Sequence, residues 1–526
     1  MRRRAAATVI PVLVLGALLL VAPPPVPAGA SRLPAPADPR AGGAATDLLQ
    51  NLTATQEPGR LDGFLFGQQH ANWDSKRYRA VEDRVGDWRA ASIPIDEFGR
   101  FVSDIELATL LIPGVSPRRP AVYGFNLQTA LNLDPEGRIV YADRIVDAYA
   151  AGGVVTIHFP ADNPVTGGSH RDLSANLLCL LSTDWTDPPP DASPAVDAWR
   201  GDLETAADFL RLVNIRWRDP DDDGVDERSG RVAAVFRPYH EMLRASHWWS
   251  AAHYRNVPDV CDGSAAAAFH SLWRQTIDYL TAPEHLNLHG LLFAWSPDRP
   301  SASPGWERFY PNADLDPAMA ADYVDVIAFD VYDDSSEDFS AQLVADTAAV
   351  AAFNAALPPE FREVIAVGEF GPRFGLSTVS EANWFMRAVV EPLTRAGLAD
   401  QIAYAMTWTN RNEDSYWVPL PCFNVPECEA YDIPHVHYRA PGGDSGDPLR
   451  GFRAFVNHPA TVFLEDLPPW WRRPDPTIPF QPGDSPRLIL QVACWLGYDH
   501  TAPDLYQRLD ACPLPTPIGR AGGLRR

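Results

Sequence analysis

Basic charge is what this chain most lacks. Its 526 residues carry 44 Lys and Arg against 68 Asp and Glu, a formal net charge of −24. A phosphate backbone needs a basic surface, so nucleic acid is not the expected partner. Neutral polysaccharides are untouched by that argument. Long apolar runs are equally scarce. Beyond the N-terminus none approaches the ~20 residues of a membrane-spanning helix, so no stable membrane insertion is expected. Cysteines number only six, a count that fits an exported protein. Cys422 and Cys428 could close a short loop, Cys494 and Cys512 could staple the tail, and Cys179 and Cys261 would then remain, one choice among several pairings.

The N-terminus reads as an export signal. Arg2 to Arg4 form a basic start, Ala5 to Ala22 are mostly apolar, and Ala28-Gly29-Ala30 is a small-residue cleavage pattern. Residues 1–30 are therefore read as a signal peptide and the protein as secreted; the alternative is an uncleaved segment that anchors it to a membrane. Residues 31–44, rich in Pro, Ala and Gly, read as a linker. With 46% hydrophobic residues, the rest can bury a large core. Residues 471–526, punctuated by Pro474, Pro476, Pro479, Pro482 and Pro486, read as a C-terminal extension.

Between these ends, residues 45–470 alternate short apolar runs with helix-like stretches. The runs are Gly63–Gly67, Ala121–Phe125, Val154–His158, Val232–Arg237, Leu291–Trp295, Val324–Phe329, Val364–Glu369 and Ile402–Trp408. Helix-like stretches include Gly201–Val213, Ala265–Leu280, Phe339–Ala356 and Glu381–Ala396. Continuously apolar strands are buried on both faces, and repeated strand-helix alternation predicts an α/β fold, a parallel (β/α)8 TIM barrel. Each run ends in polar residues: Gln69 and His70, Asn126, His158, Arg237 with His240 and Glu241, Ser296 and Asp298, Asp330 and Tyr332, Glu369, then Trp408 and Asn410. In such barrels the chemistry sits at the C-terminal ends of the strands.

Two of these ends carry glutamates. The stretch from Arg231 to Trp249, RVAAVFRPYHEMLRASHWW, places Glu241 beside Arg237, His240 and two tryptophans. Val364 to Gly371, VIAVGEFG, ends on Glu369. A carboxyl acid near a scissile oxygen, a second carboxylate, and aromatic platforms for sugar faces are what a retaining glycosidase needs.

At FRPYHE and VGEFG the chain resembles glycoside hydrolase family 26, best known for β-mannanases. The match runs from about Gly63 to about Asn410. The resemblance implies a (β/α)8 barrel that cleaves β-glycans with retention, Glu241 as acid/base and Glu369 as nucleophile. It assigns His240 to substrate binding and to tuning Glu241, and Arg237 to keeping Glu369 ionised. Tyr332, in FDVYD, matches a tyrosine that hydrogen-bonds the nucleophile, and Asp325 an aspartate of the same segment. His158, in HFPADNP, matches a histidine near the cleaved sugar. Trp408, in YAMTWTN, matches the tryptophan that floors that subsite, and Trp248 is a further stacking candidate. The family usually continues Met-Asn-Gly after the acid; here Met242 is followed by Leu243 and Arg244, and Ser246 and His247 stand where aromatics are common. These departures bear on the sugar and on the leaving-group side, not on the glutamates.

The resemblance makes endo-acting β-1,4-mannanase the expected activity, with xylan or mixed-linkage glucan as the alternative substrate. A non-catalytic carbohydrate-binding barrel is the alternative from another class. No catalytic cofactor is implied. Asp219, Asp221 and Asp223 alternate before Gly224 as in a calcium loop, but Gly230 stands where the closing glutamate belongs, so a solvated acidic turn competes with structural calcium. Asn51-Leu52-Thr53 matches a glycosylation acceptor, a pattern frequent by chance.

Overall fold

The structure is a computed structural model. It describes residues 35–73, 103–110, 115–174, 177–220, 222–251, 264–315, 322–379, 381, 383–410, 416–421, 436–437, 448–472, 474, 498–499 and 507–508. The segment expected to be an export signal, residues 1–30, and five of the six cysteines lie outside these residues. Cys179 is disulfide-bonded, and the expected pairings cannot be traced among the described residues.

Eight parallel strands close into a barrel: β1 (Phe64–Gln69), β2 (Val122–Asn126), β3 (Val154–Phe159), β4 (Ala234–Pro238), β5 (Leu291–Trp295), β6 (Val326–Tyr332), β7 (Val364–Gly371) and β8 (Tyr404–Thr407). Each pairs with the next, and β1 pairs with β8 to complete the ring. All eight coincide with the apolar runs to within a few residues. Nearly every strand position is buried, as expected when side chains face either the barrel interior or the outer helices.

The helices are legible for the same reason. In α1 (Ser193–Arg218) the buried residues Val196, Trp199, Leu203, Ala207, Leu210, Val213 and Trp217 recur every three or four positions, giving one apolar stripe. Fully burying each large apolar side chain contributes ~1.5–3 kcal/mol. Ser264 caps α2 (Ala265–Thr281) and Ser335 caps α3 (Ser336–Ala356), each accepting a hydrogen bond from the third residue on. Among the described residues no helix is long and apolar enough to cross a membrane.

The barrel base corrects one boundary. Residues 35–44 are not a free linker. Ala37 donates its N–H to Asp325, Asp38 pairs with His289 at 2.7 Å, and a helix begins at Gly42. Buried polar partners and apolar contacts at Ala37 and Ala41 hold this Pro/Ala/Gly segment in place. Residues 448–472 also pack here: Thr461 and Val462 pair with Phe64 and Leu65, and Glu465 meets buried Arg119 at 2.7 Å. Asn51 exchanges two hydrogen bonds with the Arg472 backbone and is buried, so its amide is structural rather than presented for glycosylation.

Candidate active site

Strand register brings the polar ends together. Asn126 lies opposite His158, and His158 opposite Arg237, on three successive strands. β7 then breaks the regular pattern. Between Val367 and Phe370 it advances three residues while β8 advances two, from Ala405 to Thr407. Against β6 the same extra residue appears between Val367 and Glu369. This is a β-bulge, and it sets Glu369 opposite Asp330.

Gly368 makes the bulge workable. A Cβ there would stand 2.6 Å from Arg237 Nη1 and 2.9 Å from Asp330 Oδ1. Only glycine lets the guanidinium lie this close to the β7 backbone. Arg237, 3% exposed, donates from Nη1 to Asp330 at 2.8 Å and to Ser296 at 3.3 Å, and its Nη2 contacts Glu369 Oε1 directly. Tyr332 donates to the other oxygen, Oε2, at 3.1 Å. Burial would lower the Arg237 pKa, but Asp330 and Glu369 raise it instead. Burial raises the Glu369 carboxyl above its ordinary value, Asp330 and Glu241 add to the rise, and Arg237 offsets only part of it. The direct guanidinium contact and the tyrosine donor are both interactions that an ionised carboxylate makes. Burial and then Glu369 raise Tyr332 well above its ordinary value, so it keeps the proton it donates.

Glu241 lies beyond the end of β4. Tyr239 and Glu241 both have positive φ, 52° and 53°, as do His70 (54°) and Asp298 (95°) past the ends of β1 and β5. Such conformations cost side-chain-bearing residues of order 1–3 kcal/mol, and this clustering at one barrel mouth is typical of a functional site. The turn is held by Glu241 N–H donating to the Ser296 carbonyl at 2.8 Å. Glu241 is buried; Arg244 donates to its Oε1 at 2.5 Å, and His247 Nε2 stands 4.0 Å from its Oε2. Burial, then Arg237 and neighbouring imidazoles, holds His240 well below the usual range, and burial takes His247 down to about 3. Both rings are neutral at pH 7.

His158 borders the same mouth. Its Nδ1 bonds the Phe125 carbonyl at 3.0 Å, and its ring lies 5.5 Å from His240 and 6.0 Å from half-buried Trp408. The structure thus assembles Glu241, Glu369, Arg237, His240, Tyr332, His158 and Trp408 at the C-terminal ends of the strands.

Two expected residues do not join them. Trp248 is 1% exposed; its indole donates to the Ala161 carbonyl at 2.8 Å and packs edge-on against Trp199. Its faces are used by the core, so it cannot stack on a sugar. Asp325 precedes β6 rather than ending it, and accepts N–H bonds from Phe293 and Ala37 at the barrel base. In the acidic loop, Asp219 accepts from the backbone N–H groups of Asp223 and Gly224. Asp219, Asp223 and Glu227 bring carboxylate oxygens within 4.8 Å of one another, whereas Asp221 lies outside the described residues. Conversely, Asp330, Ser296 and Asp298 were legible only as strand ends, yet Asp330 grips Arg237 and Asp298 interacts electrostatically with Glu241. Arg244 and His247 stood out in sequence only as departures; both turn back onto Glu241.

A family model described as Glycosyl hydrolase family 26 matches residues 108–387. A mannan endo-1,4-beta-mannosidase A and B from Caldalkalibacillus mannanilyticus is 28% identical over 213 residues, 39% of this chain and 34% of that protein. A mannan endo-1,4-beta-mannosidase from Bifidobacterium adolescentis is 26% identical over 319 residues, 55% of this chain and 26% of that protein. The chain therefore spans well under half the length of either relative. Among solved structures, a Cellulomonas fimi endo-beta-1,4-mannanase double mutant superimposes with a TM-score of 0.57 at 26% identity, covering 83% of this chain and 79% of that one. The catalytic domain of a Bacillus sp. JAMB-750 endo-beta-1,4-mannanase matches in fold, with a TM-score of 0.59 at 20% identity, covering 84% of this chain and 96% of that one.

Proposed function

The chain belongs to glycosyl hydrolase family 26, and from that membership we propose that it is a retaining endo-β-glycanase cleaving β-1,4-mannan by double displacement. The observation that carries the mechanism is the unequal setting of the two glutamates. Glu369 is held by Arg237 and Tyr332, contacts suited to an ionised nucleophile. Glu241 approaches from a separate turn and makes no contact with Arg237 among its described bonds.

In the first step Glu241 gives its proton to the glycosidic oxygen as Glu369 attacks the anomeric carbon. The C–O bond breaks and a glycosyl ester forms on Glu369. Ester formation removes the charge that Arg237 and Tyr332 stabilise. Glu241, now ionised, takes a proton from water, the water oxygen attacks the anomeric carbon, and Glu369 leaves as carboxylate. Trp408 provides the stacking floor beside His158, and His240 borders the acid. This chemistry needs only the two carboxyls, so no catalytic cofactor is proposed.

Mannan as substrate is supported by the two curated relatives and by the Cellulomonas neighbour. Export after removal of residues 1–30 is part of the proposal, and sequencing the mature N-terminus tests it. The central experiment follows β-mannan hydrolysis by proton NMR. Retention predicts a first product with the β configuration, and Glu369→Ala reduces turnover to background. An α first product would overturn double displacement, and turnover confined to xylan or mixed-linkage glucan would overturn the substrate. Glycan binding without turnover would favour a non-catalytic barrel.

A further inference from the structure

We propose that His240, Glu241 and His247 form a site for a divalent transition cation of the zinc class, and that its occupation shuts off hydrolysis by sequestering Glu241. The binding half stands on the geometry alone; the inhibitory half rests on the acid/base role proposed above.

Each of the three residues offers one ligand atom, and these atoms lie within 4.8 Å of one another. All three side chains are buried, and His240 Nδ1 has no hydrogen-bond partner. A buried imidazole nitrogen without a partner is costly, and a metal ion would satisfy the ring. Two neutral imidazoles and one carboxylate are a ligand set that zinc accepts, with the fourth position left to water. Tetrahedral bonds of ~2.0–2.1 Å put ligand atoms about 3.3 Å apart, so the 4.0 Å between His247 Nε2 and Glu241 Oε2 need close only slightly.

The supports are already in place. His247 lies parallel to Trp249, centroids 4.7 Å apart, and also stacks on His170. Its backbone N–H donates to Ser250 Oγ at 3.0 Å, and Trp249 Nε1 donates to the His240 carbonyl at 2.8 Å. Such outer contacts orient ligands before metal arrives. Three arginines face the group, Arg237 towards His240 and Arg171 and Arg244 towards His247; Arg244 is bonded to Glu241, but it takes Oε1, leaving Oε2 towards His247. With 52% of its side chain exposed, Arg244 can withdraw into solvent. Asp298, which interacts electrostatically with Glu241, adds a further carboxyl beside the site. Calcium and magnesium want six or more oxygens, so this nitrogen-rich set excludes them. The Asp219, Asp223 and Glu227 group offers only oxygens and serves as an internal control.

The test titrates zinc chloride alone into the full, tag-free chain at pH 7 by calorimetry, in parallel with mannan hydrolysis. The expected result is one bound equivalent, inhibition over the same concentration range, and recovery with a chelator. His247→Gln and Glu241→Gln should each weaken binding at least about tenfold. Glu227→Gln should leave it unchanged. Circular dichroism and melting confirm that each variant is folded; if His247→Gln does not fold, Glu241→Gln decides alone. No binding by the parent chain, or binding untouched in the folded variants, would overturn the site. Binding without inhibition in an active enzyme would overturn the inhibitory half. Absence of all glycan hydrolysis with zinc binding intact would sink the functional reading instead and leave the metal site standing.

Discussion

Replacing Gly368 by alanine adds one methyl group at the most crowded point of the barrel mouth. The new Cβ would stand 2.6 Å from Arg237 Nη1 and 2.9 Å from Asp330 Oδ1. Comfortable carbon contacts begin at about 3.5 Å, so the guanidinium must retreat by about 0.9 Å. It has nowhere to go, being 3% exposed and tied to Ser296, Asp330 and Glu369. Overpacking of this kind costs ~1–3 kcal/mol. A weakened charged hydrogen bond adds ~1.5–3 kcal/mol, for a total of roughly 2.5–6 kcal/mol. Glu369 moves with the arginine, and if it is the proposed nucleophile a displacement approaching 1 Å can lower turnover by on the order of 10²-fold. Denaturant unfolding and steady-state kinetics on mannan read the two effects, with the loss expected mainly in kcat. Gly201→Ala is the companion variant. It sits exposed in α1 with nothing within 4 Å of its would-be Cβ, and the change should stabilise by about 0.5–1 kcal/mol. Parent-like stability and kcat in Gly368→Ala would refute the claim that the bulge and the arginine position Glu369.

Three further outcomes are expected. Arg237→Met leaves Asp330 and Glu369 buried without their cation, so it should lose ~3–5 kcal/mol in chemical denaturation and nearly all activity; parent-like stability would contradict the ion-pair geometry. Trp248→Ala should cost ~3–5 kcal/mol of stability as a core truncation, while Trp408→Ala should mainly lower kcat/KM; melting and kinetics on both variants distinguish core from floor, and the reverse pattern would undo the assignment. His247, held down to about 3 by burial, is neutral when folded but gains a proton near pH 6.5 when unfolded. The unfolded chain therefore binds more protons below that pH, and the ring's contribution to stability is lost as pH falls. Relative to His247→Gln, the parent should lose at most about 1.4 kcal/mol per pH unit between pH 6 and 4.5; a pH-independent difference would show that the ring is not buried neutral.

Seven side chains expected at the site are assembled there, and each had a local signature. Glu241, Glu369, Arg237, Tyr332, His158 and Trp408 follow or end apolar runs, and His240 directly precedes Glu241. The two misplacements have equally local causes. Asp325 lies within the apolar run Val324–Phe329, but β6 starts one residue later at Val326, so the carboxylate sits at the opposite end of the barrel. Trp248 follows a turn with positive φ at Tyr239 and Glu241. No periodicity survives such a turn to say which way an indole faces.

Sequence alone therefore determined the architecture and singled out the two glutamates as candidates. Burial of apolar strands and alternation with amphipathic helices are local properties that accumulate along the chain. Tertiary structure alone decided how those glutamates differ. One extra residue at Gly368 reverses the in-and-out parity of β7 and sets Glu369 against Asp330 and Arg237. The positive-φ turn after β4 directs Glu241 towards Arg244 and His247 instead. Parity and turn direction depend on what the neighbouring strands and loops will accommodate, and no single segment of the chain contains that information.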